Sequence, residues 1–237
     1  MAHRGKQYTE ALKAVEGDRP YSPVEAVKAA KEAAYAKFDE TVELHIRTNL
    51  DPRRSDHQLR GLASLPHGIG KNVRVLVFTQ GEAVSIAQEA GADIVGGEDL
   101  IKQVEGGFLD FDTAFSTQDM MSKVGRLGKV LGRRGLMPNP KSGTVVTPQD
   151  LPRAIQETKK GRVEFRLDRT SIIHVPVGKL SFDENKLAEN ITALVEAISR
   201  ARPSGAKGQF IRSIYLSSTM GPGIRLDPRL TSALLAA

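Results

Sequence analysis

Between Thr41 and Arg47 the chain alternates strictly: Val42, Leu44 and Ile46 are apolar, and Thr41, Glu43, His45 and Arg47 are polar. A repeat of two residues is the period of a β-strand buried on one face, so FDETVELHIRTN predicts a strand whose other face is polar and available. Just upstream, SPVEAVKAAKEAAYAKF carries a helix start in full. Ser22 stands at the N-cap, Pro23 at the first helical position and Glu25 three residues on, a capping box that predicts a helix to about Ala36. The alternation returns in RVEFRLDRTSIIHVPVG, with Val163, Phe165 and Leu167 on one parity and a turn at Asp168 and Arg169. ENKLAENITALVEAISRA then places Leu187, Ile191, Leu194, Val195 and Ile198 on one helical stripe. QFIRSIYLSSTM predicts the last strand, with Ser213, Tyr215, Ser217 and Thr219 on its polar parity.

From Val73 onward the pattern is different. Short apolar runs (VRVLVFT, DIVGG, DTAFST, TVV) alternate with helical stretches (EAVSIAQEAGA, EDLIKQVEGG, DMMSKVGRLGKVLG, LPRAIQETKK). Such alternation predicts parallel strands joined by crossover helices, an α/β domain. The first 70 residues supply a single predicted strand, which cannot make a stable sheet alone, so its partners must come from the C-terminal strands. The expected organisation is a discontinuous α+β domain, residues 1–67 and 160–237, interrupted by an inserted α/β domain of residues 68–159. The chain crosses between them twice, near PHGIGK and KKGR, each crossing glycine-bearing.

Composition narrows the function. The 237 residues contain no cysteine, which excludes disulfides, thiolate zinc sites and a cysteine nucleophile, and the five histidines never fall at ligand spacing in sequence, so no metal centre or cofactor is expected. No apolar run approaches the roughly 20 residues of a membrane span, and MAHRGKQYTEALKAVEGDRP has no hydrophobic signal core, so a cytoplasmic protein without a membrane partner is expected. A net charge of +6 suits a polyanionic partner, and its distribution says more: residues 71–122 hold three Lys/Arg against nine Asp/Glu, residues 123–160 nine against two.

The basic stretch GRLGKVLGRRGLMPNPKSG, residues 125–143, ends close to a phosphate-binding P-loop, but the match fails. The glycine required before the lysine is Pro140, which has no N–H to offer phosphate, and the stretch leads from a helix toward a strand rather than the reverse. GIGK at 68–71 precedes a strand and is not a dinucleotide fingerprint, and no nucleophile elbow, HExxH helix or Ser/His/Asp grouping occurs, so catalysis is not expected. Two candidates for binding remain. Arg126, Lys129, Arg133, Arg134 and Lys141, on a loop kept thin by glycine, suit several phosphates of a nucleic-acid strand, the alternative being a loop kept soluble by its charge. The hydroxyls, tyrosine and TMGPG glycines of the last strand suit ribose and bases, and equally an ordinary solvent face.

Several stretches together resemble the bacterial ribosomal protein L-one family: AKFDETVELHIRTNLDPRRSDHQLRG, SLPHGIGK, AGADIVGG, GRLGKVLGRRGLMPNPKSGTV, GRVEFRLDRT, HVPVGK and GAKGQFIRSIYLSSTMGPGIRLD, in order and from about Tyr21 onward. The resemblance implies a split domain that grips RNA and an inserted Rossmann-like domain. It implies a non-enzymatic, ribosome-associated constituent of the large subunit, monomeric when free. That constituent binds large-subunit rRNA at the mobile stalk, assists release of deacylated tRNA from the exit site and represses its own mRNA. Carried over by position, the family's RNA surface falls on Lys37, Phe38, Glu40 and Thr41, then Glu43 and His45. It continues on Arg166 and His174, and on Ser213, Ser217, Thr219, Met220 and Gly221. Thr219 is expected to donate to RNA, Met220 to pack on a base or sugar, Gly221 to admit the RNA backbone and Glu40 to accept from ribose 2′-OH groups.

Overall fold

The computed structural model describes residues 5–15, 19–206 and 208–228. Two compact units divide them: residues 1–70 with 161–237, and residues 71–160.

The first unit opens with α1 (Lys6–Lys13) and α2 (Pro23–Glu32). The Ser22 hydroxyl accepts from the Glu25 N–H and the Glu25 carboxylate accepts from the Ser22 N–H, so the capping box is complete. Strand β1 (Thr41–Thr48) buries Val42, Leu44, Ile46 and Thr48. A further strand, β2 (Arg60–Ser64), also lies within the first 70 residues, where the alternation shows only one.

The second unit follows in chain order: β3 (Val75–Phe78), α3 (Ala83–Glu89), β4 (Ile94–Gly96), α4 (Glu98–Glu105), β5 (Thr113–Thr117), α5 (Met121–Val124), α6 (Gly128–Arg134), β6 (Val145–Val146) and α7 (Leu151–Lys160). Its sheet is parallel, in the order β4-β3-β5-β6. Side chains leave alternate faces of β3. Leu76 and Phe78 pack with residues of α4, α5 and α6, whereas Val75 and Val77 pack with residues of α3 and α7. This is the doubly wound, Rossmann-like arrangement.

The chain returns to the first unit as β7 (Arg162–Arg166), β8 (Ile172–Lys179), α8 (Glu184–Arg200), β9 (Ile211–Ser218) and β10 (Ile224–Leu226). Strands β10-β9-β1-β8 form an antiparallel sheet, and β2 pairs with β7. Both chain ends therefore contribute to one sheet, with β1 at its centre. One apolar cluster unites the inward face of that sheet with α2 and α8, including Val42, Leu44, Ile46, Ile191, Leu194, Ile214 and Leu216. The opposite face carries the polar parity.

Candidate nucleic-acid interface

Register places the polar residues of four strands side by side. His45 stands opposite His174 on β8 and Tyr215 on β9, and Arg225 of β10 stands opposite Tyr215, so one row runs Arg225, Tyr215, His45, His174. A second row runs Ser217, Glu43, Pro176, and Arg47 lies beside Ser213 and Ile172. In the His row, His45 Nδ1 lies 2.7 Å from His174 Nδ1, His45 Nε2 lies 2.9 Å from Ser217 Oγ, and His174 Nε2 lies 3.6 Å from the Asp168 carboxylate. Burial, reinforced by the neighbouring His174, holds the His45 imidazole below the usual histidine range against the pull of Glu43.

At the end of this face the chain turns at Thr219, Met220 and Gly221, and the turn is fastened from four directions. The Thr219 hydroxyl oxygen accepts from the Thr41 N–H at 3.0 Å and donates to the Thr41 carbonyl at 3.3 Å. The Met220 N–H donates to Glu40 at 2.9 Å, and the Tyr35 hydroxyl donates to the Met220 carbonyl at 2.8 Å. The Gly221 N–H donates to Ser218 Oγ at 3.2 Å. The Met220 side chain is left standing in solvent at 46% exposure, and Phe38 stands out at 57% and Tyr215 at 39%. Large apolar groups held outward on a polar face are a preformed surface for stacking and packing.

Glu40 and Thr219 are engaged within the protein. Glu40 is 1% exposed and its two oxygens accept from the Ala36 and Met220 N–H groups, so it positions the turn and is not free to accept from ribose. The Thr219 hydroxyl is occupied with the backbone of β1 rather than offered outward. At Gly221 a Cβ would lie 2.5 Å from Ser218 Oγ, so a side chain there would displace the hydroxyl that accepts from the Gly221 N–H. Thr41, Glu43, His45, Ser213 and Ser217 are half-buried on the polar face, His174 is exposed there, and Lys37 is exposed beside Phe38. Arg166 lies elsewhere, on β7 opposite Arg60, where Arg60, Arg166 and Arg169 line an opening of about 500 Å³. Sequence reading missed Tyr35, whose contact with Met220 spans 185 positions and leaves no local signal. It also missed Lys179, which reaches the Thr41 hydroxyl at 2.8 Å.

The basic stretch is not a loop. Arg126 lies in a 3-10 turn, Lys129, Arg133 and Arg134 lie on α6, and Lys141 lies in a second 3-10 turn capped by the Asn139 side chain. Val124, Leu127 and Leu131 face the core while the cations are exposed. A Cβ at Gly125, Gly128 or Gly132 would meet nothing within 4 Å, so packing inside this unit does not demand glycine there.

A polar face studded with outward apolar side chains on the first unit, and a cationic helix on the second, suit a binding protein for an extended polar partner. Residues 30–222 match the model of the ribosomal protein L1p/L10e family. Over 234 residues the chain is 60% identical to the large ribosomal subunit protein uL1 of Dehalococcoides mccartyi, with 99% of each chain covered. It is 56% identical over 232 residues to the uL1 protein of Thermomicrobium roseum, covering 98% of this chain and 96% of that one. The chain belongs to the ribosomal protein L1p/L10e family, and it is not an enzyme.

Proposed function

We propose that this protein is a structural constituent of the large ribosomal subunit that binds large-subunit rRNA through the outward face of β1, β8 and β9 and the Thr219–Gly221 turn. The observation that carries the reading is the fastened turn, which holds Met220 outward on the same unit as Phe38 and Tyr215 in the protein by itself. Preorganisation of this kind removes much of the entropic cost of association. RNA presents what the face can use: unstacked bases for Phe38, Tyr215 and Met220, and 2′-OH groups for Glu43 and Ser217. Arg126, Lys129, Arg133, Arg134 and Lys141 add a salt-dependent attraction to phosphates.

Membership of the uL1-bearing family supports a place at the mobile stalk, where the protein assists release of deacylated tRNA from the exit site. It also supports repression of the protein's own mRNA through an RNA element that imitates the rRNA site. The free protein is a monomer in this reading. Fluorescence anisotropy with a stalk rRNA fragment, its DNA counterpart and the leader of the protein's own mRNA tests it. Both RNAs bind and compete for one site, and the DNA binds far more weakly. Equal affinity for RNA and DNA, or failure to sediment with the large subunit, overturns it.

A further inference from the structure

In the second unit the strand order β4-β3-β5-β6 reverses at β3: the chain leaves it first for β4 on one side and then for β5 on the other. In parallel sheets the crevice outside the carboxyl ends of the strands at such a reversal is where ligands bind. An opening of about 120 Å³ lies there, between Thr79, which follows β3, and Thr117, the last residue of β5, with Gln80, Asp119 and Pro148 at its rim. The Thr79 N–H donates to the Gly96 carbonyl of β4 at 3.0 Å, so its backbone is fixed. Its side chain is not satisfied. Thr79 is 1% exposed, and among the described residues its Oγ1 is the one buried side-chain polar atom without a hydrogen-bond partner. A buried hydroxyl left unpaired costs stability, and valine has the same shape, as Val75 and Val77 on the same parity of this strand illustrate. A hydroxyl kept in that place calls for a partner from outside the chain.

We propose that this opening binds one neutral pentose ring with a vicinal diol, the ribose of an unphosphorylated nucleoside, with Asp119 accepting from the diol and Thr79 completing the contact. The Asp119 carboxylate is exposed and has no ion-pair partner among the described residues, and its two oxygens can accept from two neighbouring hydroxyls. No cation lines the opening, so it offers nothing to a phosphate or a carboxylate. Gln80 adds an amide. A Cβ on Gly97 would lie 3.1 Å from Gln80 Cγ and 3.2 Å from its Nε2, so that side chain lies against bare backbone. Met120 and Pro148 supply apolar surface for the C–H faces of a sugar. A cavity of about 150 Å³ accepts a six-membered carbon ring. One of about 120 Å³ that opens to solvent takes a five-membered ring and leaves the base outside. The site lies wholly within residues 71–160 and is independent of the RNA reading of the first unit.

The test adds adenosine to the full chain and follows the threonine and methionine methyls by ¹H–¹³C correlation, with calorimetry for the affinity. Saturable shifts of the Thr79, Thr117 and Met120 methyls are expected. 2′-Deoxyadenosine should bind at least roughly tenfold more weakly, because the acceptor at the rim loses a hydroxyl, and adenosine 5′-monophosphate no more tightly than adenosine. Asp119→Asn and Thr79→Val should each weaken adenosine at least roughly tenfold. Thr79→Val should also keep or raise the urea midpoint, since a methyl replaces an unpaired hydroxyl, and Asp119→Asn changes an exposed side chain, so both variants fold. Adenylyl-3′,5′-adenosine carries its single free diol at its 3′ end: the same methyl shifts extend the site to RNA termini, and their absence confines it to free nucleosides. The proposal is overturned if adenosine moves none of these methyls, if the deoxynucleoside binds equally well, or if binding survives in both variants. It is also overturned if adenosine 5′-monophosphate binds more tightly at these methyls, or if Thr79→Val lowers the urea midpoint, which would make the hydroxyl structural.

Discussion

At the scale of single residues, the Thr219–Gly221 turn separates side chains that hold from a side chain that presents. Met220 has its backbone pinned and its side chain exposed, so Met220→Ala should cost on the order of 1–3 kcal/mol of rRNA affinity, the value of one buried apolar side chain, and leave the urea midpoint unmoved. Glu40→Ala should do the reverse first. Two part-buried N–H groups lose a charged acceptor, which costs roughly 1–3 kcal/mol of stability in urea unfolding, and RNA affinity falls because Met220 is no longer held. Unchanged stability in Glu40→Ala would return Glu40 to the RNA surface. Both residues were legible as members of one surface from the matching text around them, but their division of labour was not. Nothing in AKFDE announces that the acid turns inward to meet a backbone N–H 180 positions away.

At the scale of elements, legibility follows how much one face is buried. Strand β1 has an unbroken apolar parity, so its pattern announces it. Strand β2 does not: its Gly61 stands opposite Phe165, and a Cβ there would lie 2.5 Å from that ring, so the position that would have carried the alternation is the one that must stay empty. The basic stretch shows a helical pattern only as far as Gly132, and its cations read as a loop; in the structure Val124, Leu127 and Leu131 anchor it to the core and the helix runs on to Arg134. The β7–β8 turn offers a pH-dependent test. Burial pushes the Asp168 carboxyl up, but hydrogen bonds from the Thr170 hydroxyl and from the Ile172 and Thr170 N–H groups outweigh it, and His174 adds to them, so its pKa lies below the ordinary aspartate value. A lowered folded pKa contributes stability that is present above the unfolded value and lost as pH falls through the folded one. Asp168→Asn should therefore be less stable than the parent at pH 7, with the gap closing below about pH 4 in urea unfolding. A gap constant down to pH 3 would assign the loss to hydrogen-bond geometry rather than charge.

At the scale of the whole molecule, the insertion leaves and rejoins the first unit at one place. Ser64 pairs with Arg162 at the end of β2 and β7, the Leu65 N–H donates to the Gly161 carbonyl, and a Cβ on Gly161 would fall 2.3 Å from Gly68 Cα. Gly161 also has φ +112°, so Gly161→Ala combines a backbone clash with strain and should destabilise the first unit by about 2–4 kcal/mol. Among the described residues no apolar cluster mixes the two units: one draws only on the first, and the other two only on residues 71–160. Among the described residues, excising 68–159 removes from that core only the partly buried Ile69, and leaves in place the unit that carries Phe38, Tyr215 and Met220. A variant joining residues 1–67 to 160–237 should fold and bind the rRNA fragment within several-fold of the full chain, with a shallower dependence on salt because the α6 cations are gone. Anisotropy titrations of both proteins at several salt concentrations measure this. A folded variant with its affinity lost would move the RNA grip onto residues 68–159. Equal salt slopes would mean that Arg126, Lys129, Arg133, Arg134 and Lys141 serve only the solubility of their helix.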